Sequence, residues 1–234
     1  MGNIELKSTS TLPIGAEHYA PGTYPHVTLS RTFKNDHWNT ICLPFAVSAS
    51  DIEGQFSEVK ELSSITVNGE NVSMKFADAS AMAAGKPYLV KTEEDDVTTV
   101  TATNVAISAS PTVSNTVVTD DDSNYTVTYV GTFSGASLNG DDNANAWVVS
   151  NSLLYNVNSN VSVGAYRGYF TVDAVGGSVK GLSLGFDDLE TAIEAIDNGD
   201  SKMDGDAIYN LAGQRVQKAT KGLYIINGKK VMVK

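Results

Sequence analysis

Residues 59–76 read VKELSSITVNGENVSMKF, and this stretch predicts a β-hairpin. Two runs rich in Val, Ile, Thr and Ser, at 59–67 and 72–76, flank the dipeptide Asn68-Gly69. Asn-Gly is a preferred two-residue hairpin turn, because both residues tolerate the positive φ angles that such a turn requires. The stretch therefore predicts two neighbouring antiparallel strands.

The same composition recurs along most of the chain. Short runs of β-branched and aromatic residues alternate with Gly, Asn, Asp or Pro, which is typical of strands and their turns. The predicted strands are 27–33, 37–43, 59–67, 72–76, 87–91, 97–107, 125–133, 146–150, 153–157, 166–172 and 179–184. Many short strands without helical segments between them favour an all-β fold, with a β-sandwich as the main domain.

Composition and turn signals divide the chain into four parts. We expect an N-terminal extension at 1–24, a β-sandwich domain at 25–186, a linker at 187–205 that includes a short helix, and a C-terminal β-hairpin or meander module at 206–234. The helix is predicted at 188–196, where apolar residues recur at helical spacing. The sequence DNGDSKMDGD after it is typical of a flexible connection.

Two segments of the main domain resemble each other. Phe76 precedes Gly85 by nine residues, and Tyr155 precedes Gly164 by nine residues. Each glycine leads into an aromatic strand, GKPYLVK at 85–91 and GAYRGYFTV at 164–172. The pattern is compatible with an internally duplicated pair of β units, although β-rich sequences also produce such matches by coincidence.

Charge and cysteine content exclude several classes of function. The formal net charge of −11 argues against binding nucleic acid, because that affinity comes mainly from basic side chains at phosphates. A single cysteine excludes an intramolecular disulfide and a cysteine-based zinc cluster. We find no apolar run long enough for a membrane span, and residues 1–10 lack the features of a signal peptide. If the protein is exported, the chain is expected to begin after the cleavage site.

No catalytic constellation stands out. His37 and Asp36 lie near Cys42, but strand alternation places residues five apart on opposite faces, and a cysteine between Ile41 and Leu43 is typical of core packing. The chain has no Gly-x-Ser-x-Gly motif for a serine hydrolase. Its acidic clusters are contiguous loop residues, whereas a glycosidase needs two carboxylates held apart across a cleft. We therefore expect no catalytic residue.

One loop shows part of a calcium-binding pattern. Asp141, Asn143 and Asn145 occupy alternating positions of an oxygen-ligand loop. Ala146 stands where the EF-hand pattern requires a turn glycine, and Ser152 where it requires a bidentate glutamate. An ordinary Asx-rich turn is the simpler interpretation. We expect neither a metal nor another cofactor.

Aromatic residues are the candidates for ligand binding. Trp38, Trp147, Tyr166 and Tyr169 could form a platform on which sugar rings stack, with the loop residues Tyr19 and Tyr24 as lesser candidates. The alternative is that these side chains fill the core, as most large aromatic residues of a β-sandwich do.

The C-terminal residues carry a resemblance to a known family. The segments are IYNLAGQRV at 208–216, KGLYIINGKK at 221–230 and the terminal VMVK. They resemble the C-terminal sorting domains of the type IX (Por) secretion system of Bacteroidetes, in a shortened form. TAIEAI at 191–196 resembles a segment that often precedes this module, and WNTICLPF at 38–45 resembles a recurring start of the β domain. The resemblance implies export to the cell surface or the medium.

The charge of the tail also differs from that of the main domain. Residues 206–234 hold six basic side chains and one acid, against ten basic and 26 acidic residues upstream. The Asn227-Gly228 dipeptide predicts another tight hairpin turn. Because the 28 residues of 207–234 cannot build an independent core, the tail is expected to dock on a partner, such as the export machinery.

Together these features predict a non-catalytic, secreted or cell-surface protein that acts as a binding or adhesion module for a glycan or a surface-protein ligand. A glycan-active hydrolase with dispersed carboxylates and a structural spacer of a larger surface protein are the alternatives.

Overall fold

A computed structural model describes residues 3–7, 21–92, 96–108, 112–122, 124–186, 208–210, 215–216, 222–226 and 229–233. The chain divides into two compact units, 1–187 and 188–234. Among the described residues the regular secondary structure is nearly all β-strand, with one short helix, which confirms the all-β prediction.

The first unit contains fifteen strands and a single turn of helix among its described residues. In chain order the elements are β1 (Ile4–Lys7), β2 (Gly22–Phe33), β3 (Asn39–Cys42), α1 (Ala49–Ile52), β4 (Glu58–Asn68), β5 (Asn71–Asp78), β6 (Pro87–Lys91), β7 (Val97–Ile107), β8 (Thr116–Thr119), β9 (Tyr125–Thr132), β10 (Ala136–Leu138), β11 (Ala146–Ser150), β12 (Leu153–Asn156), β13 (Val161–Val163), β14 (Arg167–Ala174) and β15 (Gly181–Phe186).

The hairpin predicted at 59–76 is formed by β4 and β5. Asn68 pairs with Asn71 across the turn, and Gly69 has a φ angle of +63°, a conformation that glycine adopts without steric cost. A register shift between Leu62 and Ser64 marks a bulge in the hairpin. The pair lies inside a five-stranded sheet of order β15-β5-β4-β6-β3, in which only β15 runs parallel to its neighbour.

A second five-stranded sheet has the order β12-β11-β14-β9-β8. Four of its strands have the same order as four strands of the first sheet: β12-β11-β14-β9 corresponds to β5-β4-β6-β3. In chain order, β9, β11, β12 and β14 therefore match β3, β4, β5 and β6. All these pairs are antiparallel. The correspondence equates β5 with β12 and β6 with β14, the segments that contain Phe76 and Tyr155 and that follow Gly85 and Gly164. The shared topology agrees with an internal duplication.

The two five-stranded sheets pack face to face. Their shared core includes Phe76 and Leu89 from one sheet and Tyr129 and Phe170 from the other, and the Tyr129 and Phe170 rings stack with centroids 4.2 Å apart. This arrangement gives the sandwich its central layer.

Each sheet is also covered on its outer face. The three-stranded sheet β1-β2-β7 covers the first one, where Tyr88 and Val90 contribute to a separate cluster. The β10-β13 ribbon covers part of the second one. Strand β6 is therefore buried on both faces, which explains its continuous apolar run, PYLVK with only the final Lys91 partly exposed.

The structure adds elements that the pattern of the sequence did not predict. Strand β1 lies within the range expected as an N-terminal extension, and it pairs in parallel with β2 so that Ile4 and Leu6 enter the core. Strands β8, β10 and β13 and helix α1 are three or four residues long, too short to show a periodicity. The helix expected at 188–196 lies outside the described residues.

The second unit contains a four-stranded antiparallel sheet. Its strands are β16 (Ile208–Asn210), β17 (Arg215–Val216), β18 (Gly222–Ile226) and β19 (Lys229–Val233), in the order β17-β16-β18-β19. Ile226 pairs with Lys229, so two residues connect β18 and β19, as the hairpin prediction required. The turn residues themselves lie outside the described residues.

Candidate functional site

The four aromatic residues proposed as a sugar platform lie in three separate clusters. Trp38 and Trp147 pack at the edge of the cluster between the five-stranded sheets. Tyr166 is 2% exposed beneath the three-stranded sheet, and Tyr169 packs on the outer face of the second five-stranded sheet. The side chains therefore face different directions and form no common surface.

The lesser aromatic candidates add no second platform. Tyr24 is 6% exposed and belongs to the same cluster as Tyr166. Tyr19 lies outside the described residues. Of the aromatic candidates, Trp38 lines a cleft.

This cleft has a volume of about 510 Å³ and opens between the two halves of the first unit that share a strand order. Residues at the end of β2 and in 37–40 line it from one half, and residues of β11, β13 and the start of β14 line it from the other. Its volume falls within the roughly 300–1,000 Å³ of small-ligand sites. The cleft is the candidate functional site.

Trp38 is held firmly at this site. Its indole stacks on Phe186 with ring centroids 4.4 Å apart and an interplanar angle of 18°, and its backbone N–H donates to Ser152 Oγ at 2.8 Å. The Lys91 ammonium lies 5.9 Å from the centre of the ring. Because Phe186 covers one face, at most the other face and the ring edge are available to a ligand.

A buried arginine lies under the cleft. Arg31 is only 3% exposed, and its Nη1 donates to the carbonyl oxygens of Thr40 at 2.6 Å and Tyr166 at 3.1 Å. The guanidinium also lies 4.4 Å from the centre of the Phe33 ring. Its Nε has no hydrogen-bond partner among the described residues. Burial, reinforced by the nearby Arg167, holds the pKa of Arg31 well below its usual value.

Arg167 brings a second guanidinium to the cleft. It is partly exposed at the start of β14, and burial lowers its pKa as well. Lys34 also lines the cleft but forms a salt bridge with Asp96. Among the described residues that line the cleft there is no Asp or Glu, so neither arginine faces a carboxylate from this part of the lining.

Unusual backbone conformations lie beside this site. Asn151 and Ser152, with φ angles of 49° and 62°, form the two-residue connection between β11 and β12. Tyr166 has a φ of 55°, which is rare for a bulky residue, and its carbonyl accepts from both Arg31 Nη1 and the Cys42 N–H. Such conformations concentrate at functional sites, where surrounding contacts hold them in place.

Cys42 does not belong to the cleft. It is fully buried, and its thiol donates to the Gly85 carbonyl at 3.2 Å. Burial raises the pKa of Cys42 to about 12, against a smaller opposing effect of the Thr132 backbone N–H. His37 instead contacts the Asn35 carbonyl through Nδ1 at 2.8 Å. The thiol thus lacks the lowered pKa that a nucleophile requires.

The loop with the partial calcium pattern is an Asx-rich turn. Asn139 Oδ1 accepts from the backbone N–H groups of Asp141 and Asp142, and Asn143 Oδ1 accepts from the Asn139 N–H. Asn145 Nδ2 donates to Asp173. In the part of the chain that the structure describes, no three His, Cys, Asp or Glu side chains gather as metal ligands. No helix in the described ranges is long and apolar enough to cross a membrane.

The sequence prediction missed both arginines of the cleft. A signal for Arg31 was present, because Val27, Leu29 and Phe33 alternate with outward residues and Arg31 takes a position on the same inward face. A charged residue on the apolar face of a strand needs a partner or a function. Arg167 follows Tyr166, which has a positive φ angle, and the sequence held no comparable signal for its role in the cleft.

Comparison of the chain with protein family models, with curated proteins and with solved structures finds no match.

Proposed function

We propose that this protein is a non-catalytic binding module of the bacterial exterior, and that the cleft between its duplicated halves is the site for a glycan ligand. The observation that carries the proposal is the cleft itself: an opening of about 510 Å³ beside Trp38, with serine, asparagine and arginine side chains along its lining. Saccharides offer many hydroxyl groups and weakly apolar ring faces, which match a polar cleft with an aromatic side chain in its wall.

The chemistry of the lining favours binding over hydrolysis. A glycosidase places two carboxyl groups on either side of the scissile bond. The described residues that line the cleft include neither Asp nor Glu, and the Cys42 thiol is buried away from them. These residues therefore supply groups that hold a ligand and no pair of carboxyl groups that would cleave it.

The proposed location rests on the C-terminal tail. Its sequence resembles the sorting domains of exported Bacteroidetes proteins, and its described residues form a compact four-stranded sheet. A surface or secreted protein would meet extracellular glycans, so the location and the ligand class are mutually consistent. The tail would then be the part that export machinery recognises.

The proposal is tested by blocking the cleft with a bulky side chain. Ser162 is an exposed strand residue in the cleft lining, so a Ser162→Trp variant should fill the cleft without disturbing the core. Ser64→Trp, at an exposed strand position outside the lining, is the matched control. Both variants and the wild-type chain would be applied to an array of neutral and acidic oligosaccharides.

We expect wild type and Ser64→Trp to bind the same glycans. Ser162→Trp should bind them at least about tenfold more weakly, since the ligand would have to displace a buried aromatic ring. Circular dichroism would verify that each variant is folded. If the folded wild-type chain binds no glycan, or if Ser162→Trp binds as well as wild type, the proposal is wrong.

A further inference from the structure

Building on the proposed function, we infer that the cleft recognises an acidic saccharide, and that Arg167 binds its carboxylate or sulfate group while Arg31 supplies the positive charge beneath it. Neither arginine has a carboxylate partner among the described residues, and together the two cations define the ligand class.

The charge balance of the cleft carries the inference. A buried charge is costly unless it is paired, so an uncompensated guanidinium in a stable protein requires an explanation. Another buried cation of this protein is paired with carboxylates. The Nζ atom of Lys60, a residue that is 1% exposed, lies 2.8 Å from Asp78 Oδ1 and 3.7 Å from Glu58 Oε2. Arg31, 3% exposed, has carbonyl partners for Nη1 and a second cation, Arg167, as its neighbour.

The two guanidinium groups line the same cleft and repel each other, although the chain carries a net charge of −11. No acidic side chain among the described lining residues relieves this repulsion. A bound anion would neutralise both arginines at once. The cleft therefore has the electrostatic character of a site for a negatively charged group.

The geometry favours a carboxylate or sulfate over a simple halide. Guanidinium presents parallel N–H donors that match two oxygens of one group, which makes such pairs stronger and more directional than a point-charge contact. Contacts with Thr40 O, Tyr166 O and the Phe33 ring hold Arg31 in one orientation. Arg167 is the more exposed of the two and is free to meet the ligand directly.

The remaining lining fits the sugar that carries the anion. Ser150, Asn151 and Ser162 line the half of the cleft contributed by β11 and β13 and offer groups that hydrogen-bond hydroxyls. Trp38 borders the same space. A sugar ring between these groups would place its acidic substituent toward the arginines.

Three monosaccharides that differ only at the C6 substituent provide the test: glucose, glucuronate and glucose 6-sulfate. Their binding to the full chain would be measured by NMR titration at low ionic strength, with Arg167→Gln and Arg167→Lys as variants. Lys75→Gln is the control, because it removes an exposed cation that does not line the cleft.

We expect glucuronate, glucose 6-sulfate or both to bind at least about tenfold more tightly than glucose, and Arg167→Gln to abolish this preference. Arg167→Lys should retain part of it, since the charge remains and the two-pronged geometry is lost. Lys75→Gln should bind as wild type. The stronger of the two acidic sugars identifies the group as a carboxylate or a sulfate.

A second readout separates ligand binding from a structural role. Removing one of two repelling cations should leave the melting temperature of ligand-free Arg167→Gln unchanged or raise it, whereas a structural arginine would lower it. Equal binding of glucose and the acidic sugars, or wild-type affinity in Arg167→Gln, would overturn the inference while leaving a neutral glycan site intact. A third outcome separates the two proposals. If the array shows no bound glycan but the acidic monosaccharides bind in an Arg167-dependent way, the proposed glycan function is rejected and the anion site is supported.

Discussion

At the scale of single residues, Cys42 shows how burial decides chemistry. Asp36 and His37 lie close to it in the sequence, and such neighbours are typical of a nucleophilic cysteine. In the fold its thiol lies against the Gly85 carbonyl and the backbone of Gly131, and its pKa is raised to about 12. A thiol that remains protonated at neutral pH acts as a packing group.

The raised pKa gives a prediction about alkaline stability. In the unfolded chain the thiol ionises above about pH 8.5, whereas in the folded chain it stays neutral up to about pH 12. Between these values the unfolded state binds fewer protons than the folded state, so the free energy of unfolding falls by up to about 1.4 kcal/mol per pH unit. This contribution is fully present below about pH 8.5 and is lost as the pH rises.

Cys42→Ser removes the titrating thiol and tests this effect. We expect the variant to be about 1–3 kcal/mol less stable than wild type at pH 7, because a hydroxyl replaces a weakly polar sulfur among apolar groups. Urea unfolding between pH 7 and pH 11 should show this gap narrowing above about pH 8.5. Tyr129, also buried with a raised pKa, is present in both chains and does not affect the difference. A constant gap, or rapid labelling of native Cys42 by iodoacetamide, would contradict the prediction.

At the scale of elements, strands β3 and β9 approach each other closely within the sandwich. These strands are the first of the two repeated sets, and they meet where Cys42 lies against Gly131. A Cβ atom on Gly131 would lie 2.4 Å from Cys42 Sγ and 3.2 Å from Cys42 Cβ. The strands can approach this closely only because one of the two positions has no side chain.

A double-mutant cycle tests this contact. We expect Gly131→Ala to lower the free energy of unfolding by about 1–3 kcal/mol, since the buried methyl group overpacks a core position. Combining it with Cys42→Ala should restore part of the loss, because removing the sulfur opens space for the methyl group. Chemical denaturation of the four chains measures the coupling. Purely additive losses would mean that the two residues do not constrain each other.

The elements also show what the sequence could predict. Strands β6, β7 and β11 have the predicted bounds, because each is a continuous run of strand-forming residues between clear turn signals. Strand β1 was not predicted, because its pairing with β2 depends on residues that are distant in the chain. The cleft could not be predicted for the same reason: Arg31 and Arg167 are 136 positions apart, and only the packing of the two halves brings them together.

At the scale of the whole molecule, the two repeated sets of strands explain both the core and the cleft. Tyr129 in β9 donates to the Tyr88 carbonyl in β6, and Thr40 in β3 accepts from the Gly168 N–H in β14. The first strand of each set thus contacts the fourth strand of the other set. Each half needs its counterpart to bury its inner face, and the cleft forms where their edges diverge.

The division into two units leads to the prediction on the C-terminal tail. Every described strand of the first unit pairs with another strand of that unit, so its sheets do not need the tail for their hydrogen bonds. A chain that ends at Asp187 should therefore fold and melt within about 4 °C of the full chain, the shift produced by roughly 1 kcal/mol in a domain of this size.

If the tail serves export, its removal should act on delivery and not on folding. In a Bacteroidetes host with type IX secretion, fractionation and surface labelling should show the full chain at the cell surface or in the medium and the shortened chain retained. A chain whose residues 207–234 are scrambled keeps the length and charge of the tail and should be retained as well, because recognition depends on the order of the residues. If the shortened chain reached the surface normally but melted far below the full chain, the tail would be a structural cap of the first unit, and the export interpretation would be wrong.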